Sequence, residues 1–142
     1  MARPEASLWD HLRALMPAGC HYSRIESETS PGFPDVHFTV EGITGTIELK
    51  STKRPNAKYP FSGKDGLRKS QILWIRDELE ANGWVLLCLE CDPYIFLLEA
   101  ECYYDDLYKM SRGGIGRVAK VVWTRKGPLP RDELAVALVN KS

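Results

Sequence analysis

Between Asp35 and Lys50 the chain reads D-V-H-F-T-V-E-G-I-T-G-T-I-E-L-K, and three of its residues, Asp35, Glu48 and Lys50, are of types that do chemistry. Apolar and polar residues alternate from Val36 to Val40 and again from Ile43 to Lys50, around a Glu41-Gly42 pair suited to a two-residue hairpin turn. With Val40 opposite Ile43, counting back along both strands sets Asp35 opposite Glu48. Asp35, His37 and Thr39 then share a face with Thr44, Thr46, Glu48 and Lys50, while Val36, Phe38, Val40, Ile43, Ile47 and Leu49 take the other. Two carboxylates opposed across a sheet, with Cβ atoms about 5 Å apart, repel each other and weaken the pairing. A hard divalent cation offsets that repulsion: Mg²⁺ takes oxygen ligands, keeps several waters, and is commonly held by one or two carboxylates plus a phosphate. Lys50, on the same face, is placed to orient a water or to help deprotonate it. The layout suits phosphodiester hydrolysis.

The competing reading is the solvated face of a half-buried hairpin, which describes most such strands. Against it stand the concentration of catalytic residue types on one face and the Gly32-Phe33-Pro34 entry, which fixes how the chain meets Asp35.

Pro34-Asp35 followed by Glu48-Leu49-Lys50 resembles the PD-(D/E)xK nuclease superfamily. Arg24-Ile25-Glu26, Pro31-Gly32-Phe33-Pro34-Asp35, Ile47-Glu48-Leu49-Lys50 and a later Gln71 with Trp74 are together similar to its VRR-NUC branch and to small phage-encoded Holliday-junction-resolvase-like nucleases. The resemblance covers roughly Trp9 to Glu99. It implies a Mg²⁺ or Mn²⁺ ion bound by Asp35, Glu48 and the backbone carbonyl of Leu49, with Lys50 as the catalytic lysine and no organic cofactor. Many members carry a further acid on the first helix. Here Glu5, Asp10, Glu26 and Glu28 are the candidates, and Glu26 is favoured because it lies in the Arg-Ile-Glu string. Branched DNA as substrate, a homodimer to make two symmetric incisions, and a phage or mobile-element origin with action in the host cytoplasm are likewise implied by the resemblance alone.

The elements that must position these residues follow from periodicity. Leu8, Trp9, Leu12, Leu15 and Met16 recur at helical spacing between Pro4 and Pro17, predicting a first helix of about three turns. Cys20 to Glu26 reads as a strand. After the hairpin, Ser51 to Gly63 is a basic loop punctuated by proline and glycine, holding Tyr59 and Phe61 and leaving directly from Lys50; a loop of this length suits a grip on a phosphate backbone. Gly66 to Asn82 reads as a helix closed by Asn82-Gly83. Leu67, Trp74, Ile75 and Leu79 fall on one arc, and Gln71 lands inside it. Two roles for that amide stand level: a neighbour of the metal and attacking water, or a partner for a buried backbone group. Trp84 to Glu90 is nearly all apolar and reads as a central strand, with Tyr94 to Leu98 returning after Asp92-Pro93. Glu101 to Met110 reads as a short helix in which Tyr103, Tyr104 and Tyr108 pack, Ser111 to Arg117 as a glycine loop able to act as a DNA-touching flap, Lys120 to Thr124 as a strand, and Arg131 to Asn140 as a closing helix.

At 142 residues, with 44% hydrophobic and 27% charged residues, the chain has the length and make-up of one globular domain spanning 1–142. Lys plus Arg and Asp plus Glu are both 19, so net charge announces no partner. Charge is nonetheless segregated: Lys53, Arg54, Lys58, Lys64, Arg68 and Lys69 face the single acid Asp65 between Ser51 and Ser70, and Arg112, Arg117, Lys120, Arg125 and Lys126 stand together without any acid. Lys53, Arg54, Lys58, Lys64, Arg68, Lys69, Arg112 and Arg117 are the expected DNA contacts. Cys20, Cys88, Cys91 and Cys102 suit free packing thiols in a reducing cell, and no stretch reaches the ~18 apolar residues of a membrane span. The whole predicts an α/β domain with a mixed central sheet flanked by helices, on a restriction-endonuclease-like core, acting as a metal-dependent DNA endonuclease. The alternatives are a nuclease for flaps, single strands or linear ends, and a non-catalytic nucleic-acid-binding module on the same fold.

Overall fold

The computed structural model describes residues 4–25 and 32–141. Six strands, β1 (His21–Arg24), β2 (Val36–Val40), β3 (Ile43–Ser51), β4 (Val85–Cys91), β5 (Tyr94–Glu99) and β6 (Val121–Thr124), form one sheet in that spatial order. Neighbours run antiparallel except β3 and β4, which are parallel. A parallel pair needs a long crossover, and α2 (Lys69–Glu80) supplies it; α1 (Pro4–Arg13), α3 (Arg112–Val118) and α4 (Arg131–Val139) complete the helices of the described residues. The chain is therefore α/β with a mixed sheet between helices. None of these helices is long and apolar enough to cross a membrane.

The β2–β3 hairpin closes through Glu41 and Gly42 with φ of 51° and 77°, the primed-turn geometry whose twist matches that of the flanking strands. Val40 pairs with Ile43 and Val36 with Ile47, the register expected from the alternation.

Each sheet face carries its own apolar layer. Val36, Phe38, Ile47, Leu49, Leu86, Cys88, Ile95 and Leu97 pack with Leu8 and Leu12 of α1 and Leu134 and Leu138 of α4. On the opposite face Val85, Leu87, Leu89, Cys91, Phe96 and Leu98 pack with Ile75 of α2, Ile115 of α3 and Phe61. Three residues apart on a strand, Cys88 and Cys91 belong to different layers, which rules out joint chelation. The second layer stops at β4. On β2 and β3 the same face carries His37, Thr46, Glu48 and Lys50, so α2 packs partly on hydrocarbon and partly on a polar strip.

Three expectations are corrected. Ser111–Arg117 is not a glycine loop but the start of α3: the Ser111 hydroxyl caps it by accepting from the Gly114 N–H at 3.0 Å. Burial of Ile115 against β5, with Val118 packed on the same layer, outweighs a helix propensity deficit of about 1 kcal/mol per glycine. Arg112 and Arg117 thus ride on a short helix, not on a flap. Glu101–Met110 is not an α-helix; it is a run of turns with one 3-10 turn at Leu107–Lys109, pinned by buried Leu107. The helix expected from Gly66 begins later, at Lys69.

Candidate active site

Asp35 sits where β2 begins, and the residues before it are locked to α2. Gly32 has φ +89°, and a Cβ there would lie 2.2 Å from the Ser70 carbonyl oxygen, so only glycine permits this approach to the start of α2. Phe33 packs edge-on against Trp74, ring centroids 4.9 Å apart, and Pro34 is buried. On the other side the Ile25 N–H donates to the Asp35 carbonyl at 2.7 Å. The Asp35 side chain is turned to β3: its Oδ2 accepts the Leu49 N–H at 2.9 Å. Leu49, whose carbonyl was the expected ligand, is thus engaged with Asp35 through its N–H.

Glu48 is only 1% exposed. Its Oε1 accepts from Gln71 Nε2 at 3.0 Å, while its Oε2, also buried, has no partner among the described residues. Burial first, then the close approach and charge of the Asp35 carboxyl, push the Glu48 carboxyl well above the usual carboxylate range; Lys50 and Arg68 pull it partly back. The two acids expected to meet across the hairpin do meet.

Gln71 does what one of its two expected roles required, partnering a backbone group, and it also bonds the Glu48 carboxyl. Its Oε1 accepts the Arg68 N–H at 2.8 Å, satisfying an otherwise free donor at the start of α2, and its Nε2 fixes the Glu48 carboxyl. The helix start and the carboxylate are thereby held by one amide.

Lys50, 9% exposed, follows Glu48 on the same face of β3 and opens into a cleft of about 600 Å³ over the end of that strand. Lys53, Arg54, Lys64, Asp65 and, from α1, Glu5 complete its wall. The loop that forms much of this wall is built rather than slack. Arg54 Nε meets Asp65 Oδ2 at 3.0 Å and its Nη2 donates to the Ser62 carbonyl at 2.8 Å; the Thr52 hydroxyl donates to the Pro60 carbonyl at 2.6 Å; Phe61 is fully buried. Arg54, though half exposed, is consequently committed within the loop, whereas the exposed Lys53 and Lys64 also line the wall.

Of the other expected DNA contacts, Arg68 lies near enough to act on Glu48, and Lys69 begins α2 beside it. Lys58 sits over the Tyr59 ring and Arg112 over the Tyr94 ring; neither they nor Arg117 line the cleft. His37, paired with Thr46 inside β2, neighbours the site. Glu26, the favoured further acid, and Glu28 lie outside the described residues. Asp10 is exposed and paired with Arg13, whereas Glu5 reaches the cleft.

Sequence reasoning gave no role to Arg24. Its guanidinium comes within 3.7 Å of Asp35 Oδ1, and its Nη1 is buried without a partner among the described residues. The signal was the position of Arg24 in the strand beside Asp35, but cross-strand reach was not legible there.

Among the described residues no group of three or more His, Cys, Asp or Glu converges as a cage. Two adjacent carboxyls with an orphaned buried oxygen nonetheless make an oxygen donor set suited to Mg²⁺ or Mn²⁺, ions that usually complete their shell with water and phosphate. Compared with protein-family models the chain matches none, and compared with curated proteins it finds no match.

Proposed function

We propose that this chain is a metal-dependent DNA endonuclease that hydrolyses phosphodiester bonds on a PD-(D/E)xK nuclease-like core, with branched DNA as substrate and a homodimer as the acting form. The observation that carries this reading is the buried Glu48 carboxyl, held beside Asp35 with one oxygen unpartnered among the described residues, and near it Lys50, which lines a basic cleft. Asp35 and Glu48 bind the cation, and the Leu49 carbonyl is its third candidate ligand. What a bound Mg²⁺ or Mn²⁺ supplies is charge on the scissile phosphate and a more acidic water. Gln71 keeps Glu48 in the binding rotamer. Lys50 holds the attacking water in line with the leaving oxygen and steadies the charge that grows on the phosphate. Lys53 and Lys64 bind flanking phosphates, a sequence-independent contact suited to recognition of DNA shape. Glu5, which reaches the cleft, is a candidate for the further acid alongside Glu26.

The test is cleavage of a labelled four-way junction beside matched linear duplex, single strand and flap, in Mg²⁺, Mn²⁺ or EDTA, by wild type and Lys50→Ala. Metal-dependent junction cutting that Lys50→Ala loses is the expected result, with paired symmetric cuts for a dimer. Preference for another substrate would replace the branched-DNA assignment. Binding without any cutting in either metal would leave a non-catalytic module.

A further inference from the structure

Arg24 is the one basic side chain among the described residues within ion-pair distance of Asp35. It is placed there by the sheet: Arg24 pairs in register with Val36 at the end of β1, and the next residue, Ile25, bonds the Asp35 carbonyl. The contact has an unusual character. At 3.7 Å it is an ion pair too long for a hydrogen bond, and Nη1 of the same guanidinium is buried with no acceptor among the described residues. A guanidinium that pairs with a carboxylate for structure is frequently forked onto it. Arg125 in this molecule does that, with Nε and Nη2 each 2.7 Å from Glu90. Arg24 instead supplies charge to Asp35 without locking it.

We propose that Arg24 is the resident counter-cation of the site: the guanidinium and a divalent metal ion are alternative partners for the Asp35 carboxylate. The inference rests on the metal-binding reading of Asp35 and Glu48 given above. Without the ion, Arg24 offsets the repulsion between the two acids and keeps Asp35 where β3 needs it, accepting from Leu49. When the ion binds, two like charges converge on one carboxylate, and the weakly held guanidinium yields, its Nη1, without an acceptor among the described residues, then able to meet an anionic oxygen such as that of a phosphate. Metal affinity in the free protein is therefore set below what two carboxyls alone would give. The device favours loading of the ion together with substrate.

The experiment is calorimetric titration of Mn²⁺ into the full-length protein without DNA, for wild type, Arg24→Gln, Arg24→Lys and Asp35→Asn, with thermal melts to confirm folding. Arg24→Gln should bind Mn²⁺ about tenfold more tightly than wild type, allowing for solvent screening of a quarter-exposed guanidinium. Arg24→Lys, which keeps the charge, should stay near wild type, and Asp35→Asn should lose binding. A merely structural Arg24 gives the opposite sign, because the site would loosen and Mn²⁺ would bind more weakly. Unchanged or weaker binding in Arg24→Gln, with wild type binding Mn²⁺ through Asp35, overturns this inference and leaves the nuclease reading standing. Absence of Asp35-dependent Mn²⁺ binding in wild type overturns both.

Discussion

Glu48 and Glu90 stand on adjacent parallel strands of one sheet, and their surroundings are opposite. Glu90, on the α1 side, is fully used: Arg125 donates to both of its oxygens at 2.7 Å, Ser51 adds a longer bond at 3.4 Å, and Arg125 reaches on to Ser7 of α1. Glu48, on the α2 side, is more deeply buried yet among the described residues receives one fixed donor, Gln71, and keeps an orphan oxygen beside a second acid. An unsatisfied buried polar group costs about 1–3 kcal/mol. A carboxylate that holds a fold together is given partners; one that is short of them beside another acid is the feature on which the proposed cation site rests.

The comparison breaks most visibly in catalysis. Glu48→Gln is expected to reduce metal-dependent cleavage by at least about 10³-fold, the scale of losing transition-state charge stabilisation, while Glu90→Gln stays within about threefold; single-turnover cleavage of the preferred DNA measures both. Stability should move the other way. Glu90→Gln leaves Arg125 without its forked partner and should cost about 1–2 kcal/mol, discounted because Arg125 is partly exposed, which is roughly a 3–8 °C fall in Tm.

Glu48→Gln should stabilise the metal-free protein by about 1 kcal/mol at neutral pH, since it removes the need to ionise or keep protonated a buried acid. The pH dependence has a definite sign. The folded-state pKa of Glu48 is raised above its unfolded value, so its contribution is intact below the unfolded pKa and declines as pH rises through the raised folded value. Melts in EDTA should therefore show the advantage of Glu48→Gln growing from acid to neutral pH. The smallest effect belongs to the rim: Lys53→Gln and Lys64→Gln should each weaken DNA binding several-fold and lower the salt slope by about one. Fluorescence anisotropy across a salt series reads this directly.

Much of this contrast was legible in the sequence. Alternation on either side of Glu41-Gly42 placed Asp35 against Glu48, and the helical arc around Trp74 and Ile75 aimed Gln71 at the sheet, because strand and helix periods alone decide those directions. What escaped depends on contacts between distant residues. Nothing local ties Arg125 to Glu90, or Arg24 to Asp35. Asp65, the lone acid of a basic stretch, gave only a hint that Arg54 would be spent inside the loop. The α3 helix escaped for the same reason: its glycines argue locally for a loop, and only the pocket that receives Ile115 makes it a helix. Glu5 could not be singled out among the acids until α1 was docked beside the end of β3.

The most direct measurement is the Tm of wild type and Glu48→Gln, each in EDTA and in millimolar Mn²⁺. In EDTA the Gln variant should melt higher. In Mn²⁺ the wild type should gain and overtake it, because binding to the folded state alone raises stability by mass action, while the variant stays nearly unchanged. A wild type that Mn²⁺ leaves unmoved, or a Gln variant that gains as much, would contradict the assignment of Glu48 and Asp35 as a cation site.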